Sequence, residues 1–571
     1  MNKKIALFLI VVGIIVFSNS FNGDFVYDDN IVLTHSLFNQ PQKMLSFLLE
    51  PYFEDFKAAG LYRPLTQISF AINFMISSSP FIFHFTNVLL HIINSILVYY
   101  LINKLSNNSK LSFISSIIFL VLPVHVEAVA SIVGRAELLS FLFGILSMLY
   151  WLNSRYVLSA LMVFLSIMSK ETAIVIPAII FIISLWQRRK DVWILHHFFA
   201  IASYLAFRIY VLGSYSFGPK VEFVFNPLAH VSIGERLSTA LKVFMIYLQT
   251  IFAPYRLSID YSYNQIPIVK NLFTSLPSIV GLLILVAMSW LLWESVKKRV
   301  MTIPALSILL FLLPYLLISN LIIVIGTIMG ERLMYLPSLG IVILIAFVLN
   351  RLFQTNQKVL MLFLGIIVII CGLVTFNQNK VWANADNLFE SMYQRSPNSV
   401  VAKTYYGIHI LNENPSLAGQ LSRSAYNDYP DYVQNLNLLA AISAREGKLS
   451  EAEKLLVRAL ELRPSHQNSL QNLSRVYFSQ KKYMEAERIT LELVSKYGGV
   501  GNVILYAIIS IEQGQYQTAI NTLDRYLSKD PSNDAAKVVK EYALSRLNHR
   551  IISQDIESNY RVLYNSFSVS Q

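Results

Sequence analysis

Over its first 380 residues the chain alternates long apolar segments with short polar loops. A helix that crosses a bilayer needs about 20 mostly apolar residues. This pattern predicts an all-α, polytopic membrane helix bundle over residues 1–380. The twelve candidate spans are 5–20, 82–102, 111–127, 136–153, 156–169, 171–187, 192–212, 237–254, 274–293, 302–324, 333–350 and 358–377.

A different pattern begins near residue 399 and repeats about every 34 residues. Its clearest markers are Ala418, Ala452, Ala486 and Ala519, at intervals of 34, 34 and 33 residues. A 34-residue period with small residues at helix crossings is typical of tetratricopeptide repeats, which are helix pairs stacked into an α-solenoid. The first repeat is degenerate, with the bulky Tyr406 at a usually small position. We therefore predict a linker over 381–398 and a repeat domain over 399–571, which ends in a capping helix near 535–562.

Composition separates the chain from soluble proteins. Hydrophobic residues make up 55% and charged residues only 14%, whereas soluble chains carry roughly 25% charged residues. The single cysteine, Cys371, excludes a disulfide framework and a cysteine-ligated zinc site. The net charge of +12 resides mostly in short loops between apolar segments, so it indicates membrane topology and not nucleic-acid binding.

The positions of these basic residues predict the orientation of the bundle. They cluster at 104/110, 155, 188–190, 297–299 and 351/358, and short cytoplasmic loops are enriched in Lys and Arg. All five clusters lie inside only if one candidate does not cross, and 237–254 is the best choice because it contains Lys242 and ends at Pro254. Eleven crossings then place the N-terminus in the cytoplasm and the repeats on the non-cytoplasmic side. Two alternatives stay open: a cleaved signal peptide at 1–20, and a crossing by 237–254.

The first outer loop, residues 21–81, is long, and long loops are often functional. It begins with Asp28 and Asp29 directly after the first span. Adjacent carboxylates at a membrane surface can act as a base, a metal ligand or a helix cap. Further along the loop, Arg63 precedes an apolar stretch, and arginine is suited to bidentate phosphate recognition.

Other polar residues stand in or beside the apolar segments. One helix carries the stripe His84, Asn87, His91 and Asn94, whose spacing places them on one helical face. The stripe predicts either a wet cavity or a hydrogen-bond ladder between helices. Further ionisable residues at helix junctions are His125, Glu127, Arg135, Lys170, Glu171, Glu331 and Arg332. Any single pair is typical of a structural salt bridge, but the predicted topology brings all these junctions to the outer side, which favours a functional site.

The chemistry of such a site follows from its location. The sequence has no phosphate-cradling glycine loop and no zinc helix motif. Outside the cytoplasm, where nucleotides are scarce, a substrate delivered as a membrane lipid fits best. Glycosyl transfer from a lipid phosphate needs cations for the leaving phosphate and one carboxylate base for the acceptor hydroxyl. Asp28 or Asp29 supplies the base, and the cations are Arg63, Arg135, Lys170 and Arg332. No cofactor is required, and a divalent metal stays an open alternative.

Several motifs carry a family resemblance. In chain order they read FVYDDN, LYRPLTQISF, FHFTNVLLH, PVHVEAVASIVGRAELL, SKET and ERLMYLPSLG, followed by the repeats. This order closely resembles the transmembrane and tetratricopeptide-repeat O-mannosyltransferases and their prokaryotic relatives.

The resemblance implies a GT-C type glycosyltransferase that moves mannose from a polyprenyl-phosphate donor to Ser/Thr hydroxyls of exported proteins. It also implies that Asp28 acts as the base, with Asp29 beside it. The array here is shorter than in eukaryotic members, so the sugar and the acceptor stay open. Two alternatives remain: decoration of a surface polysaccharide or lipid by the same fold, and a non-enzymatic membrane-anchored repeat scaffold.

The predicted topology can be tested by cysteine labelling. In a Cys371→Ser background, a single cysteine at position 450 should react with an impermeant maleimide from the non-cytoplasmic side. A cysteine at position 190 should react only after the membrane is permeabilised. Labelling of position 190 from outside, or of position 450 only from the cytoplasm, would contradict the eleven-crossing arrangement.

Overall fold

The structure, a computed structural model, describes residues 1–53, 57–189, 193–217, 221–255 and 257–568. Within these ranges the regular structure is helical and contains no strand. The prediction of an all-α chain is therefore confirmed. Residue 190 of the basic cluster at 188–190 lies outside the described ranges.

The chain divides into two compact units, Met1–Ala402 and Lys403–Gln571. The helices of the first unit are α1 (Lys3–Phe17), α2 (Asp28–Val32), α3 (Pro64–Ile76), α4 (Pro80–Ser106), α5 (Ser109–Val121), α6 (Val126–Ala130), α7 (Arg135–Leu152), α8 (Tyr156–Ser169), α9 (Ile176–Trp186), α10 (Trp193–Leu212), α11 (Ile233–Phe252), α12 (Leu276–Lys298), α13 (Ile303–Ile318), α14 (Ser338–Leu352), α15 (Gln357–Asn379) and α16 (Ala385–Arg395). The segment 381–398, predicted as a linker, thus contains the helix α16.

Several of these helices are long and apolar enough to cross a membrane. In the described part of the chain they are Lys3–Asn22, Pro80–Ser106, Ile132–Leu152, Ile194–Ser216, Leu276–Lys298 and Gln357–Trp382. Shorter apolar helices include α3, α8, α13 and α14. The chain is a multi-pass membrane protein. By length and composition α11 is in neither group, and its predicted failure to cross stays a prediction.

The candidate span 111–127 is a bent pair of helices and not one straight rod. The axes of Ser109–Val121 and Pro123–Ala130 differ by 53°. The cause is Pro123, because a residue that precedes proline avoids the α conformation. Leu122 accordingly adopts extended angles, φ −67° and ψ 119°. The bend turns the chain after α5 so that Glu127 lies on a short separate helix, α6.

The interior of the first unit combines close helix packing with buried polar groups. Gly340 of α14 sits directly on α13, where any side chain would clash with the Ser307 carbonyl. In the middle of the bundle, α4 packs against α1, α5 and α7. Its polar stripe is turned inward, and Asn87, His91 and Asn94 are fully buried. Their hydrogen bonds must therefore come from neighbouring helices.

The second unit is built from antiparallel helix pairs. Its helices are α17 (Val400–His409, which begins in the first unit), α18 (Pro415–Asp428), α19 (Val433–Arg445), α20 (Leu449–Leu462), α21 (Gln467–Ser479), α22 (Tyr483–Lys496), α23 (Val500–Glu512), α24 (Tyr516–Leu527), α25 (Asp534–Leu547) and α26 (Gln554–Phe567). Each of the four marker alanines is fully buried, as the repeat pattern predicts. The prediction of a repeat solenoid is confirmed.

The C-terminal end differs from the prediction of one helix near 535–562. The structure has two helices there, α25 and α26, because the chain breaks between them. His549 adopts a left-handed conformation with φ +52°, which ends α25. The Ser553 side chain accepts a hydrogen bond from the backbone N–H of Ile556 and begins α26.

The last helix packs on its neighbour α25 and on the first helices of the two preceding pairs, α21 and α23. Tyr560 stacks on Tyr542 with ring centroids 3.7 Å apart. Tyr564 packs on Phe478 at 4.8 Å. These aromatic contacts cover the apolar end of the solenoid, as a capping helix requires.

The buried alanine at each helix crossing should be sensitive to size. Ala452→Trp should destabilise the α19–α20 pair by about 1–3 kcal/mol, because overpacking forces the helices apart. Hydrogen–deuterium exchange of the full chain should show lost protection in these two helices. Val457→Trp on the same helix, where the side chain is 37% exposed, is the matched control. Equal exchange in both variants would contradict a close crossing at Ala452.

Candidate functional site

The acidic pair follows α1 by eleven residues and begins the short helix α2. The residue before it, Tyr27, adopts φ +51° and ψ −115°, a conformation that non-glycine residues rarely adopt. Such strain costs roughly 1–3 kcal/mol and is concentrated at functional sites. The conformation of Tyr27 sets the direction of the backbone at Asp28 and Asp29. The side chains of these two residues lie in different environments.

Asp29 points into the protein and is fully buried. Its carboxylate accepts hydrogen bonds from the backbone N–H groups of Val26 at 3.2 Å and Val133 at 3.0 Å. Burial raises the pKa of Asp29 to about 7, although both N–H donors oppose the rise. Asp29 therefore ties the first outer loop to the turn that precedes α7 and serves as a positioning residue.

Asp28 remains accessible, with 32% of its side chain exposed. Its Oδ2 lies 3.8 Å from Nη1 of Arg332. Arg332 is itself held by Glu127, which accepts from Nη1 at 2.9 Å and from the Arg332 backbone N–H at 2.7 Å. Nε and Nη2 of Arg332 donate to no residue that the structure describes. Glu127 thus holds the guanidinium of Arg332 through Nη1, while Nε and Nη2 form an open donor edge. The Arg332 side chain is 34% exposed.

Glu331 faces the opposite way and anchors the loop after α11. It accepts hydrogen bonds from the backbone N–H of Ser258 at 2.6 Å and from the Tyr261 hydroxyl at 2.7 Å. Burial raises the pKa of Glu331 to about 8. Glu331 therefore fixes the backbone that carries Arg332 and is not itself accessible.

A second ionic group contains three of the predicted residues. Arg63 donates from Nε and Nη2 to Glu171, at 3.0 and 2.6 Å. Lys170 is buried and paired with Glu137. Both Glu137 and Arg63 are within electrostatic range of Arg332. The fork of Arg63 is thus already occupied by a carboxylate, unlike the open edge of Arg332.

Arg135 lies deeper, in the helix packing. Its guanidinium is fully buried and donates to the side chains of Asn87 and Asn73 and to the Phe83 carbonyl. His84 is also buried, close to Gly23. The structure thus places Arg135 and His84 inside the junction of α3, α4 and α7, where protein groups accept the hydrogen bonds of the guanidinium.

The remaining stripe residues form a hydrogen-bond ladder around Tyr335. His91 Nδ1 lies 2.7 Å from the Tyr335 hydroxyl, which also accepts from Asn94 at 3.1 Å. His125 Nε2 lies 2.8 Å from the Ser338 hydroxyl. These side chains are fully buried, so the ladder interpretation of the stripe describes what the structure shows.

Some participants were missed by sequence reasoning. Glu137 stood beside Arg135 without an assigned role, and Tyr335 lay inside a quoted motif. Asp260 gave no signal at all, yet it is buried and accepts hydrogen bonds from Ser262 and Ser399. Among the residues the structure describes, no three His, Cys, Asp or Glu side chains are grouped to hold a metal ion. The accessible chemistry is one carboxylate beside one arginine.

Fold and site together define a multi-pass membrane unit followed by a tetratricopeptide-repeat solenoid. The membrane unit contains an ionic centre, formed by Asp28, Glu127 and Arg332. Comparison with curated proteins gives its relatives. The chain is 28% identical to the protein O-mannosyl-transferase F38B6.6 of Caenorhabditis elegans over 72% of its length. It is 23% identical to the human protein O-mannosyl-transferase TMTC3 over 97% of its length, and 27% identical to human TMTC4 over 70%. The resemblance seen in the sequence is confirmed.

These alignments span 60%, 70% and 62% of the lengths of the three relatives. No family model matches the sequence. Among solved structures, a chain of the APC/C hetero-tetramer Cut9–Hcn1 matches with a TM-score of 0.26 and 12% identity, covering 90% of this chain and 98% of that one.

The two aspartates should differ in their effect on stability. Asp29→Leu leaves two buried N–H groups without an acceptor, which should cost about 1–3 kcal/mol. Asp28→Leu removes only a partly exposed ion pair, worth about 0–1 kcal/mol. Thermal unfolding of the purified chain in detergent would measure both. A larger loss in Asp28→Leu than in Asp29→Leu would contradict these assignments.

Proposed function

We propose that this chain is an integral-membrane glycosyltransferase. It transfers a sugar, mannose by similarity to the names of its relatives, from a polyprenyl-phosphate donor to Ser/Thr hydroxyls of exported proteins. The observation that carries the proposal is the partly exposed pair of Asp28 and Arg332. Among the ionic groups that the structure describes in this unit, Asp28 is the carboxylate that combines exposure with an unused oxygen, and Arg332 is the arginine with an open edge.

The reaction assigns a task to each member of this pair. The acceptor hydroxyl oxygen forms a bond to the anomeric carbon, and its proton passes to the Asp28 carboxylate. The bond from that carbon to the donor phosphate breaks, and the polyprenyl phosphate leaves with the electron pair. A positioned base contributes about 10²–10⁴-fold to such a transfer.

Arg332 binds the leaving phosphate through its open donor edge. A guanidinium presents donors in a fork that matches phosphate oxygens, and charge-assisted bonds of this type are strong. Glu127 already holds the Arg332 guanidinium in place before a substrate binds. The guanidinium therefore need not become ordered during the reaction. The pairs Arg63–Glu171 and Lys170–Glu137 surround the centre and hold α3, α7 and α8 in register.

The repeats bind the acceptor protein. Tetratricopeptide solenoids offer an extended inner surface that suits an unfolded segment. The alternatives of a polysaccharide or lipid acceptor give the repeats no such task. The bundle holds the lipid donor, and the outer side of the membrane is the location of the transfer.

Replacement of the base tests the proposal directly. Asp28→Asn keeps the shape of the side chain and removes its basicity, so transfer should fall about 10²–10⁴-fold. Turnover would be measured with purified chain, a polyprenyl-phosphate mannose donor and a peptide from an exported protein. Donor binding and the unfolding temperature should change little.

The matched control is Asp24→Asn, an exposed carboxylate four residues earlier in the same loop, which should retain full turnover. Full turnover in both Asp28→Asn and the Asp28→Asn, Asp29→Asn double variant would remove the pair from the mechanism. The wild-type chain could also transfer sugar to a glycan or lipid and to no peptide. This result would support a glycosyltransferase but contradict a protein acceptor.

A further inference from the structure

An apolar groove of about 710 Å³ runs between α11 and the beginning of α12. Four of its residues, Lys242, Met245, Ile246 and Gln249, recur at i, i+3, i+4 and i+7, which places them on one face of α11. Phe252 and Leu276 line its two sides, with 63% and 72% of their surfaces exposed. The groove therefore has an apolar wall that no described part of the chain covers.

The opposite face of α11 belongs to the protein core and contacts the ionic centre. Tyr247 is fully buried, and its hydroxyl donates to the Gly330 carbonyl at 3.2 Å and accepts from the Gly330 N–H at 3.0 Å. Gly330 directly precedes Glu331 and Arg332. Lys242 is five residues from Tyr247, about 7.5 Å along the helix axis. One helix thus separates the groove from the segment that carries Arg332.

Lys242 is the charged residue in this groove, and it makes no ion pair or hydrogen bond with any residue that the structure describes. An ammonium group beside apolar side chains in a membrane protein normally pairs with a neighbouring anion. The other ionised groups near the centre have such partners, as Arg63, Lys170 and Arg332 show. An unpaired lysine beside a long apolar groove matches a ligand with one anionic group and a long hydrocarbon chain.

The groove also lies at a depth in the membrane that suits a lipid phosphate. Its α12 residues, Leu276, Pro277 and Val280, belong to the first turns of a membrane-crossing helix. The first turns of a spanning helix are near the headgroup region, where lipid phosphates reside. Ser278 donates to the Ser238 carbonyl at 2.7 Å, which fixes the start of α12 against α11 just before Lys242.

From these observations we infer that the α11–α12 groove is the entry site for the lipid donor, in which the polyprenyl chain lies along the groove and its phosphate pairs with Lys242. This inference rests on the proposed function, since it names where that donor first binds. The donor then reaches Arg332 around the C-terminal end of α11, beyond which the Ser258 backbone N–H donates to Glu331, the residue before Arg332. An entry site contributes to donor binding and leaves the transfer step itself unchanged.

The test uses the full chain in nanodiscs of phosphatidylcholine, with a polyprenyl phosphate that carries a diazirine near its phosphate. Cross-linked peptides should come from α11 and the start of α12. Unlabelled polyprenyl phosphate should compete with the label, whereas phosphatidylglycerol at equal concentration should not. Label located elsewhere, or equal competition by phosphatidylglycerol, would overturn the inference, since the groove would then hold ordinary phospholipid or none.

Two variants address the charge and the space separately. Lys242→Gln should reduce labelling and raise the KM for the donor on the order of tenfold with kcat unchanged, because capture of the donor from the bilayer is impaired while the transfer step is not. Ile246→Trp fills the groove and should do the same. The controls are Lys358→Gln and Leu362→Trp, at exposed positions of α15, which should leave labelling and KM unchanged. Unaltered KM in both groove variants would contradict the entry site.

Cross-linking and sugar transfer, measured on the same purified proteins, distinguish a failure of this inference from a failure of the proposed function. Asp28→Asn should be labelled as strongly as the wild-type chain although its transfer rate falls about 10²–10⁴-fold. Labelling in the groove without any transfer by the wild-type chain would support the lipid site and contradict the proposed reaction. Transfer from the polyprenyl donor, with no label in the groove and normal groove variants, would support the reaction and contradict the site.

Discussion

The need to neutralise charge in a low-dielectric interior determines the arrangement of this centre. An unpaired ion inside a membrane protein costs several kcal/mol, so nearly every ionisable side chain here is bound to a specific partner. Glu127 is the pivotal one, since it accepts from both the side chain and the backbone of Arg332. Without that carboxylate, the direction of the Arg332 guanidinium would not be fixed.

This economy makes the exceptions informative. Asp28 and Arg332 have hydrogen-bonding capacity that the protein does not use, and Lys242 has no anion beside it among the described residues. Their neighbours show that the fold can satisfy such groups when it needs to, as Asp29 does with two backbone N–H groups. Unused capacity in an otherwise saturated network is where substrate groups bind most favourably, because binding then supplies a partner instead of displacing one.

Much of the fold could be predicted because it depends on patterns that are local in sequence. The 34-residue spacing of buried alanines predicts the solenoid, and apolar segments of adequate length predict the bundle. Pairing within the site is not local. Arg135 and Arg332 have the same residue type and similar junctional positions, yet the first is enclosed by Asn73, Asn87 and Phe83 and the second keeps an open edge. Only the packing of α3, α4 and α7 distinguishes them. The groove along α11 could not be predicted from the sequence either, because apolar side chains like those that line it occur on every membrane helix.

The aromatic helix α26 limits how long a segment of the proposed acceptor protein the repeats can bind at once. With α26 packed over the first helices of the last three pairs, those helices have already used part of their inner surface. In the proposed function, recognition of the acceptor then falls mainly to α17 and α19, the first helices of the two pairs nearest in sequence to the first unit. The inner surface that remains free is therefore smaller than the number of repeats suggests, and a short segment of polypeptide would cover it. Selectivity on this basis would depend on local composition around the modified hydroxyl, with little sensitivity to sequence far from it.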